Sequence, residues 1–356
     1  MEPGPAVAVF GAYGHTGRFV TAELRDRGYV PVLVGRDGRR LRALGTPDLD
    51  LRTASTDAPS SLDRALEGTA AVVDCAGPFA VTAVPVVEAA LRAGIPYVDV
   101  AAEIEANLDT FARFTDRARA AGVAVVPAMA FFGALGDLLA VTAMGDWKRA
   151  DEVHVAYGLS GWHPTAGTRI AGRVSQQRRG GRRVLHTGGR MEYLDGPRPL
   201  LEWTFPDPMG TRAVVGEFTM AESVTIPRHL AVPEVRAHMT VEAAEELSAP
   251  DTPPPAPADE RGRSAQTFVV DVVVRAGGRD RRASARGRDI YAVTAPLAVE
   301  AVHRILTGRV KTTGAASAGE IFDAPAFLRA LSAHIALGSH RDGVSTRAGK
   351  SSTGAG

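Results

Sequence analysis

Three glycines with regular spacing occur near the start of the chain, in the segment AVAVFGAYGHTGRFV. Gly11, Gly14 and Gly17 lie between an apolar run typical of a strand and a stretch with helical periodicity. At such a junction the missing side chains let a diphosphate approach the backbone, and the helix N-terminus favours its negative charge. The alternative is a purely structural glycine turn, but the context favours a nucleotide cradle. Its candidate contacts are Gly11, Tyr13, Gly14, His15, Thr16, Gly17 and Arg18.

The second candidate strand ends in VLVGRDGRR, where dinucleotide-binding folds contact the adenine ribose. Gly35 leaves space at this point. Arg36, with Arg39 and Arg40 one turn later, carries guanidinium groups suited to a doubly ionised 2′-phosphate. We therefore expect the cofactor to be NADPH (NADP). Two alternatives remain open: the arginines form the solvated start of a helix, or Asp37 binds the ribose hydroxyls of NAD.

The fourth candidate strand runs into the loop CAGPF. In doubly wound sheets the ligand lies across the carboxyl ends of the strands. Ala76 and Gly77 are therefore expected to contact the cofactor ribose, and Pro78 and Phe79 to wall the nicotinamide side. No basic residue adjoins Cys75, which is expected to be a small buried apolar residue rather than a nucleophile.

Reduction by such a cofactor needs a proton source or an electrophilic group beside the substrate. Tyr97, Asp99 and Glu103 lie at or just beyond the carboxyl end of the fifth candidate strand, near the mouth of the expected cleft. His163 lies in a Trp-His-Pro loop between a strand and a helix of the second half, where its imidazole could donate a proton. The structural alternatives are a core tyrosine, a turn-capping Asp99 and a surface loop around His163.

These residues require a scaffold of alternating strands and helices, and the first half of the chain has that pattern. The candidate strands are residues 7–10, 30–34, 49–53, 70–76, 97–100 and 123–127. The candidate helices between them are residues 17–27, 39–44, 59–66, 84–93 and 107–121.

The periodicity changes after about residue 149, where Val153, Val155 and Tyr157 alternate with polar residues. Segments 211–219, 267–274 and 279–286 are typical of antiparallel strands, whereas 289–306 and 324–337 return to a helical pattern. The predicted fold is α/β, a doubly wound parallel Rossmann sheet with an inserted α+β domain on a mixed or antiparallel sheet. The predicted parts are an NADP-binding Rossmann domain (1–149), a substrate or dimerisation domain (150–288), C-terminal helices returning to the first domain (289–337) and a disordered tail (338–356). A proline-rich exposed loop is expected at 248–263.

The composition excludes several classes of function. In 356 residues, 41 Lys and Arg balance 40 Asp and Glu, so no overall field favours nucleic acid. The basic run QQRRGGRR at 176–183 lacks interleaved aromatic residues, which favours a solvated turn. The apolar runs fall short of the roughly 20 residues of a membrane span, and no metal-ligand spacing occurs. The single cysteine and the lack of a basic leader indicate a cytoplasmic protein without intrachain disulfides.

Several segments taken together resemble one known family. They are GAYGHTGR, VGRD, CAGPF, PVVEAALRAGIPYVDVAAE, DIYAVTAPLAVEAV and GEIFDAPAFLRAL, which cover about the first 140 residues and the last helices. This chain resembles the saccharopine dehydrogenase-like reductases, in particular the branch with the trans-acting enoyl reductases. The positions that match the family pattern are Gly11, Gly14, Gly17, Arg18, Arg36, Gly77, Tyr97, Asp99 and Glu103.

The resemblance implies NAD(P)H-dependent reduction of C=N or C=C bonds and a mixed-sheet second domain that often mediates dimer contacts. After the sixth strand, where relatives commonly carry Pro-Ser-Asp, this chain has FFGALGD and keeps only Asp137. We therefore expect the substrate side of the pocket to differ from that of these relatives.

The leading hypothesis is an NADPH-dependent reductase of an enoyl or imine bond in a small-molecule intermediate of secondary or lipid metabolism, with a homodimer as the candidate assembly. A saccharopine-type amino acid dehydrogenase is the first alternative, and it would need Arg169 and Arg173 to line the cleft and bind carboxylates. The second alternative is a non-catalytic protein that senses NADPH.

Overall fold

The first sheet consists of parallel strands, as the alternating pattern predicts. The computed structural model describes residues 4–338 and the backbone of 341–344. The strands of this sheet are β1 (Ala6–Phe10), β2 (Val30–Gly35), β3 (Asp50–Thr53), β4 (Ala71–Asp74), β5 (Tyr97–Asp99), β6 (Ala124–Val126) and β15 (Gly314–Ala315). Their order is β15-β6-β5-β4-β1-β2-β3, and every pairing is parallel.

Helices cover both faces of this sheet, which explains its nearly continuous apolar strands. In β1, Val7 and Val9 pack in one hydrophobic cluster, whereas Ala8 and Phe10 pack in another on the opposite face. The helices of this half are α1 (His15–Asp26), α2 (Gly38–Arg42), α3 (Pro59–Leu66), α4 (Phe79–Ala93) and α5 (Ile104–Ala120).

A tight turn connects the two sheets. An irregular turn at Phe131–Leu135, with non-helical backbone at Phe132 and Gly133, leads into α6 (Gly136–Met144). Gly133 adopts a φ of 106° and lies so close to Ala128 that an added Cβ would be 2.8 Å from the Ala128 Cβ, so a glycine is required there. The turn buries Phe131 and Phe132 between the two halves of the chain.

The second sheet is mixed and has ten strands. They are β7 (Glu152–Leu159), β8 (Arg183–Thr187), β9 (Arg190–Leu194), β10 (Leu200–Thr204), β11 (Thr211–Val215), β12 (Glu234–Thr240), β13 (Thr267–Ala276), β14 (Arg279–Arg288), β16 (Ile335–Leu337) and β17 (Arg341–Val344). The main order is β10-β11-β12-β7-β13-β14-β16, in which only β12 and β7 pair in parallel. Alternate residues of β7, such as Val153, Val155 and Tyr157, face the core beside α6.

The last third of the chain contacts both sheets. The helices after β7 are α7 (Ala166–Arg178), α8 (Glu222–Thr225), α9 (Val241–Ser248), α10 (Thr294–Leu306), α11 (Ala318–Ile321) and α12 (Ala324–Ala330), with a 3-10 turn at Ile226–Arg228. Helix α10 packs against α1, and β15 joins the edge of the first sheet. The Rossmann sheet and the second, mixed sheet confirm the predicted fold class, while the domain boundaries stay predictions.

Three details of the predicted elements were wrong. The helix expected over 324–337 ends at Ala330, and Ile335–Leu337 pairs instead with β14. The strand expected over 211–219 ends at Val215. In the tail predicted to be disordered from residue 338, Arg341–Val344 pairs with Arg279–Arg282 of β14, because that edge offers free backbone groups. Residues 339, 340 and 345–356 lie outside the described residues.

Candidate cofactor site

The three glycines form a close-packed junction between β1 and α1. Gly11 has a φ of 84°, and an added Cβ there would lie 2.9 Å from the Cβ of Ala76. A Cβ on Gly17 would lie 2.4 Å from the carbonyl oxygen of Gly11. Gly14 caps α1 without any side-chain hydrogen bond, so the amides of the first helical turn are not capped by a side chain. The cradle therefore fits an anionic diphosphate, because the backbone is bare and the uncapped helix end is positive.

The carboxyl end of β2 has the arrangement expected for a 2′-phosphate. Asp37 caps α2, because its Oδ1 accepts hydrogen bonds from the backbone N–H groups of Arg39 and Arg40 at 2.9 and 3.2 Å. These bonds, that from Arg40 first, lower the pKa of the Asp37 carboxyl. Arg36 is exposed, and within the described residues its guanidinium forms no hydrogen bond or ion pair. The carboxylate is thus engaged, and the arginine is free to bind an anion.

Tyr13 lies on the floor of this end of the site. A Cβ on Gly35 would lie 2.5 Å from its ring, which shows how closely the ring covers the backbone of β2. The guanidinium carbon of Arg40 lies 4.4 Å from the centroid of the same ring. Gly35 therefore provides room for an aromatic platform, and Arg40 adds a second cation above it.

Backbone hydrogen bonds hold the loop after β4. The carboxylate of Glu103 accepts from the N–H groups of Phe79 at 2.6 Å and Ala80 at 3.1 Å, at the N-terminus of α4. Gly77 is exposed, and the Cβ of Ala171 in α7 would lie 3.8 Å from a Cβ added there. The cleft over Gly77 is therefore bounded by the second half of the chain.

Phe79 differs from the expectation that it walls the nicotinamide side. Its side chain is 7% exposed, because at the start of α4 it packs with Ala83 of that helix and with Ala101 and Ala106 around the start of α5. Beside it Gly77 is exposed, and Cys75, Ala76 and Pro78 are partly exposed. Phe79 therefore supports the loop from below.

Tyr97 and Asp99 form a buried network with Asp74 on neighbouring strands. The Tyr97 hydroxyl donates to Asp99 Oδ2 at 2.8 Å and lies 3.3 Å from Asp74 Oδ2. Asp99 Oδ1 accepts from the N–H groups of Ala101 and Ala128 at 2.9 and 2.8 Å. This network joins the loops after β4, β5 and β6, which are the loops that face the cofactor groove.

Burial governs the protonation of these acids. Desolvation raises the pKa of Asp99 to about 6 and that of Glu103 to about 7, against the lowering effect of their backbone donors. It also raises the pKa of Asp74 well above its usual range. All three side chains are almost fully buried. As placed here, Tyr97, Asp99 and Glu103 orient loops and contact no open surface.

His163 lies elsewhere, in the loop between β7 and α7, and its side chain is exposed. The neighbouring Trp162 is buried and stacks on Phe132, with ring centroids 4.7 Å apart. Its indole Nε1–H donates to the Tyr291 hydroxyl at 3.2 Å. Of the four residues considered for proton transfer, only His163 has an exposed side chain.

The sequence analysis did not identify Tyr291 as a site residue. Its hydroxyl also accepts from the backbone N–H of Thr165 at 3.2 Å and lies 2.9 Å from Thr168 Oγ1. Its ring meets that of His15 edge to face at 5.2 Å, and His15 Nε2 is buried without a hydrogen-bond partner among the described residues. Tyr291 therefore links the glycine cradle to the loop that carries His163. Its place in the segment DIYAV before α10 was the available signal.

Asp137 has a structural role here. Its Oδ1 lies 2.7 Å from His229 Nε2, and its Oδ2 accepts from the N–H of Gly319 at 2.8 Å. Nearby, the buried Glu222 accepts hydrogen bonds from Tyr157 and from the N–H of Gly133. These carboxylates anchor the turn after β6, so the changed sequence of this turn has its own buried supports.

Two absences hold for residues 4–338 and 341–344. No helix there is both long and apolar enough to cross a membrane. In the same part of the chain, no group of three or more His, Cys, Asp or Glu side chains is arranged to hold a metal ion.

The comparisons with known proteins agree with this geometry. Residues 7–126 match the family described as the saccharopine dehydrogenase NADP binding domain. A probable mitochondrial saccharopine dehydrogenase-like oxidoreductase of Arabidopsis thaliana is 32% identical over 147 residues, which cover 36% of this chain and 32% of the plant protein. The chain thus matches only about a third of the length of that relative.

A solved structure extends the similarity in fold to nearly the whole chain. The apo saccharopine dehydrogenase (L-Glu forming) of Saccharomyces cerevisiae superposes with a TM-score of 0.64 over 95% of this chain and 100% of the yeast chain, at 12% identity. That likeness concerns the fold alone. Residues 7–126 are therefore similar to the saccharopine dehydrogenase NADP binding domain, and the chain shares the fold of the yeast enzyme.

Proposed function

We propose that this chain is an NADPH-dependent oxidoreductase that reduces a C=C or C=N bond of a small molecule, in the manner of the enoyl reductase branch. The supporting observation is the pair of features at the two ends of the cradle. The uncapped helix α1 suits a diphosphate, and the unpaired Arg36 beside Gly35 suits a 2′-phosphate. Asp37, the acid that NAD would need, already caps α2.

When bound, NADPH supplies a hydride, and the protein must orient the acceptor and provide a proton. Gly77 and Pro78 would face the nicotinamide side, while Tyr97, Asp99 and Glu103 fix the loops behind it. We assign the proton to His163, because its loop is fastened through Tyr291 to the cradle residue His15. The His163 side chain is exposed, so it can regain a proton from water after each turnover.

The amino acid dehydrogenase alternative has less support. Arg173 is exposed, and Arg169 donates to the carbonyl oxygen of Thr252 at 2.8 Å. Two arginines arranged to hold the carboxylates of an amino acid substrate would instead converge on the cleft. The sensing alternative differs in the outcome of a turnover assay, because a sensor binds NADPH and does not oxidise it.

The first experiment is a titration of the whole chain with NADPH and NADH, followed by thermal shift and tryptophan fluorescence. We expect the larger response with NADPH. Arg36→Ala should weaken NADPH binding by about tenfold or more and leave NADH nearly unchanged, since it removes a charge-assisted contact. Arg64→Ala, an exposed arginine on α3, is the matched control. Equal responses to both dinucleotides would refute the cofactor assignment.

The second experiment measures NADPH oxidation at 340 nm with panels of enoyl and cyclic imine compounds. We expect turnover with one panel, and a fall of about 100-fold or more in kcat for His163→Gln with unchanged NADPH affinity. Binding without turnover on any panel would favour the sensor.

The remaining parts of the proposal are a small-molecule substrate from secondary or lipid metabolism, a cytoplasmic location and a homodimer. Light scattering on the purified chain tests the homodimer.

A further inference from the structure

An open cavity lies at the end of the second sheet where β7 and β14 finish and β13 begins. Its volume is about 860 Å³. The tip between β10 and β11 borders it on one side and the segment 332–336 on another, while β13 and β14 form its base. None of the residues assigned to the cofactor site or to proton transfer lines it.

The strand register places several arginines on one face of β14 at this end of the sheet. Arg282 pairs with Val273, Arg286 with Val269 and Arg288 with Thr267, so the three arginines project on the same side of β14. Arg282 is neutralised, because it donates two hydrogen bonds to the buried Asp271 at 2.6 Å each.

Arg286 and Arg212 are not neutralised in this way. Arg286 reaches only the carbonyl oxygen of Asp207, at 3.3 Å, and Arg212 only that of Thr211, at 2.9 Å. Both side chains are exposed and line the cavity. Within the described residues neither guanidinium meets a carboxylate, so the rim carries two uncompensated positive charges.

The other charged groups at the cavity leave this surplus in place. Arg288 is 3.8 Å from Asp259, which also pairs with Arg263. His334 is 3.7 Å from Glu23, which also pairs with Arg27. Glu242 is the one acidic residue that lines the cavity, and its side chain is exposed to solvent. An anion entering beside Arg212 and Arg286 would therefore meet a net positive field.

The rest of the lining combines apolar residues with the hydroxyl side chains of Ser160, Thr240, Thr267 and Ser332. Met209 and Phe205 cover Gly158 of β7 so closely that an added Cβ would lie 2.2 Å from the Met209 sulfur. The accessible apolar surface of the cavity comes from Pro208 and Met209 at the tip between β10 and β11 and from Ala333 and Ala336 on the other side. A hydrocarbon chain laid along these side chains would bury apolar area, while a carboxylate at its end would reach the two arginines.

We propose that this cavity is a second binding site that takes a carboxylate with an apolar chain of medium length, held by Arg212 and Arg286. The cavity is large enough for such a molecule, and its charge and apolar surface are complementary to the two ends. This proposal is independent of the reductase proposal, because it uses no residue of the cofactor site.

The test is isothermal titration calorimetry of the full chain with octanoate, below its micelle-forming concentration. Acetate carries the charge without the chain, and octan-1-ol carries the chain without the charge. We expect octanoate to bind and both reference compounds to bind at least about tenfold more weakly. The double variant Arg212→Gln/Arg286→Gln should bind octanoate at least about tenfold more weakly than the unaltered chain.

Two controls make the result decisive. Arg113→Gln, an exposed arginine on α5, should leave octanoate binding unchanged. The double variant should keep the NADPH thermal shift of the unaltered chain, which shows that it is folded and separates this site from the cofactor site. No binding of octanoate, equal binding of octan-1-ol, or unchanged binding by the double variant would each overturn the proposal.

Discussion

The two ends of the cofactor groove use their charges in opposite ways. At the end near β2, Arg36 is exposed and unpaired in the described chain, so its charge is available to a ligand. At the carboxyl ends of β4 and β5, Asp99 and Glu103 are buried and accept backbone N–H groups. The difference teaches that free charge marks a binding group, whereas a satisfied buried carboxylate marks a support.

The largest effect is expected from a substitution that removes the supporting carboxylate of Asp99 at the strand ends. Asp99→Ala leaves the N–H groups of Ala101 and Ala128 and the hydroxyl of Tyr97 without this acceptor. We expect a loss of about 3–5 kcal/mol in the free energy of unfolding, measured by urea denaturation. Asp99→Asn keeps one carbonyl oxygen for the backbone donors and should lose about half as much or less.

The same pair of variants separates a supporting role from a chemical one. If Asp99 only positions loops, Asp99→Asn keeps most of the kcat for NADPH oxidation. A folded Asp99→Asn protein without turnover would show that this carboxylate takes part in proton transfer and that the two ends of the groove do not differ as described.

A second effect concerns the cradle, which has no free charge of its own. Gly17→Ala would place a methyl group 2.4 Å from the Gly11 carbonyl oxygen, on backbone that cannot move aside freely. We expect a loss of about 1–3 kcal/mol in unfolding free energy and a clear loss of NADPH affinity by fluorescence titration. Gly172→Ala on α7 has open space around its Cβ and should be neutral or slightly stabilising. Unchanged NADPH affinity in Gly17→Ala would remove the cradle from the binding site.

The free end of this comparison is built from local sequence patterns, whereas the satisfied end is not. The glycines, Gly35 and Arg36 lie within local strand-to-helix patterns, and such patterns are read from neighbouring residues. Glu103 instead bonds to residues 23 and 24 positions away, and Asp99 to Ala128 at a separation of 29. Periodicity carries no information on contacts of that kind. The sequence alone therefore does not show that backbone N–H groups occupy these acids, and it leaves them as candidates for proton transfer.

Contacts between distant residues also explain why the sequence did not predict the role of Tyr291 or the strand at Ile335–Leu337. Tyr291 contacts Trp162 and Thr165 across 129 and 126 residues, so its role appears only when the second half folds back onto the first. The segment 331–337 follows a helix with a similar apolar pattern, yet the free edge of β14 recruits Ile335–Leu337 as a strand. Tertiary pairing decided these elements over local propensity.

A smaller effect tests the link between the two halves. Tyr291→Phe keeps the ring contact with His15 but leaves the Trp162 indole N–H and the Thr165 N–H without their acceptor. We expect a loss of about 1–2 kcal/mol in unfolding free energy and a lower kcat, with NADPH affinity nearly unchanged. Tyr193→Phe, on the exposed strand β9, should change neither quantity measurably. A stability equal to that of the unaltered chain would show that the link contributes nothing.

The smallest expected effect is a change with pH in the free energy of unfolding, which tests the buried acids at the carboxyl ends of β4 and β5. Burial raises the pKa of Glu103 from 4.5 to about 7, so the folded chain holds this proton more tightly than the unfolded chain does. The stabilisation from Glu103 is thus fully present below pH 4.5 and is lost as the pH rises to about 7, at a rate on the order of 1 kcal/mol per pH unit.

Glu103→Gln removes this titration while leaving that of Asp99 in place, so the difference in unfolding free energy between the two proteins isolates Glu103. We expect the advantage of the unaltered chain to shrink steadily from pH 4.5 to 7 in urea denaturation. If the positive end of α4 outweighs burial and keeps the carboxylate ionised, that advantage will instead be lost on acidification. The carboxyl ends of the strands would then resemble the cradle, since a helix N-terminus would hold a negative charge at both ends of the groove.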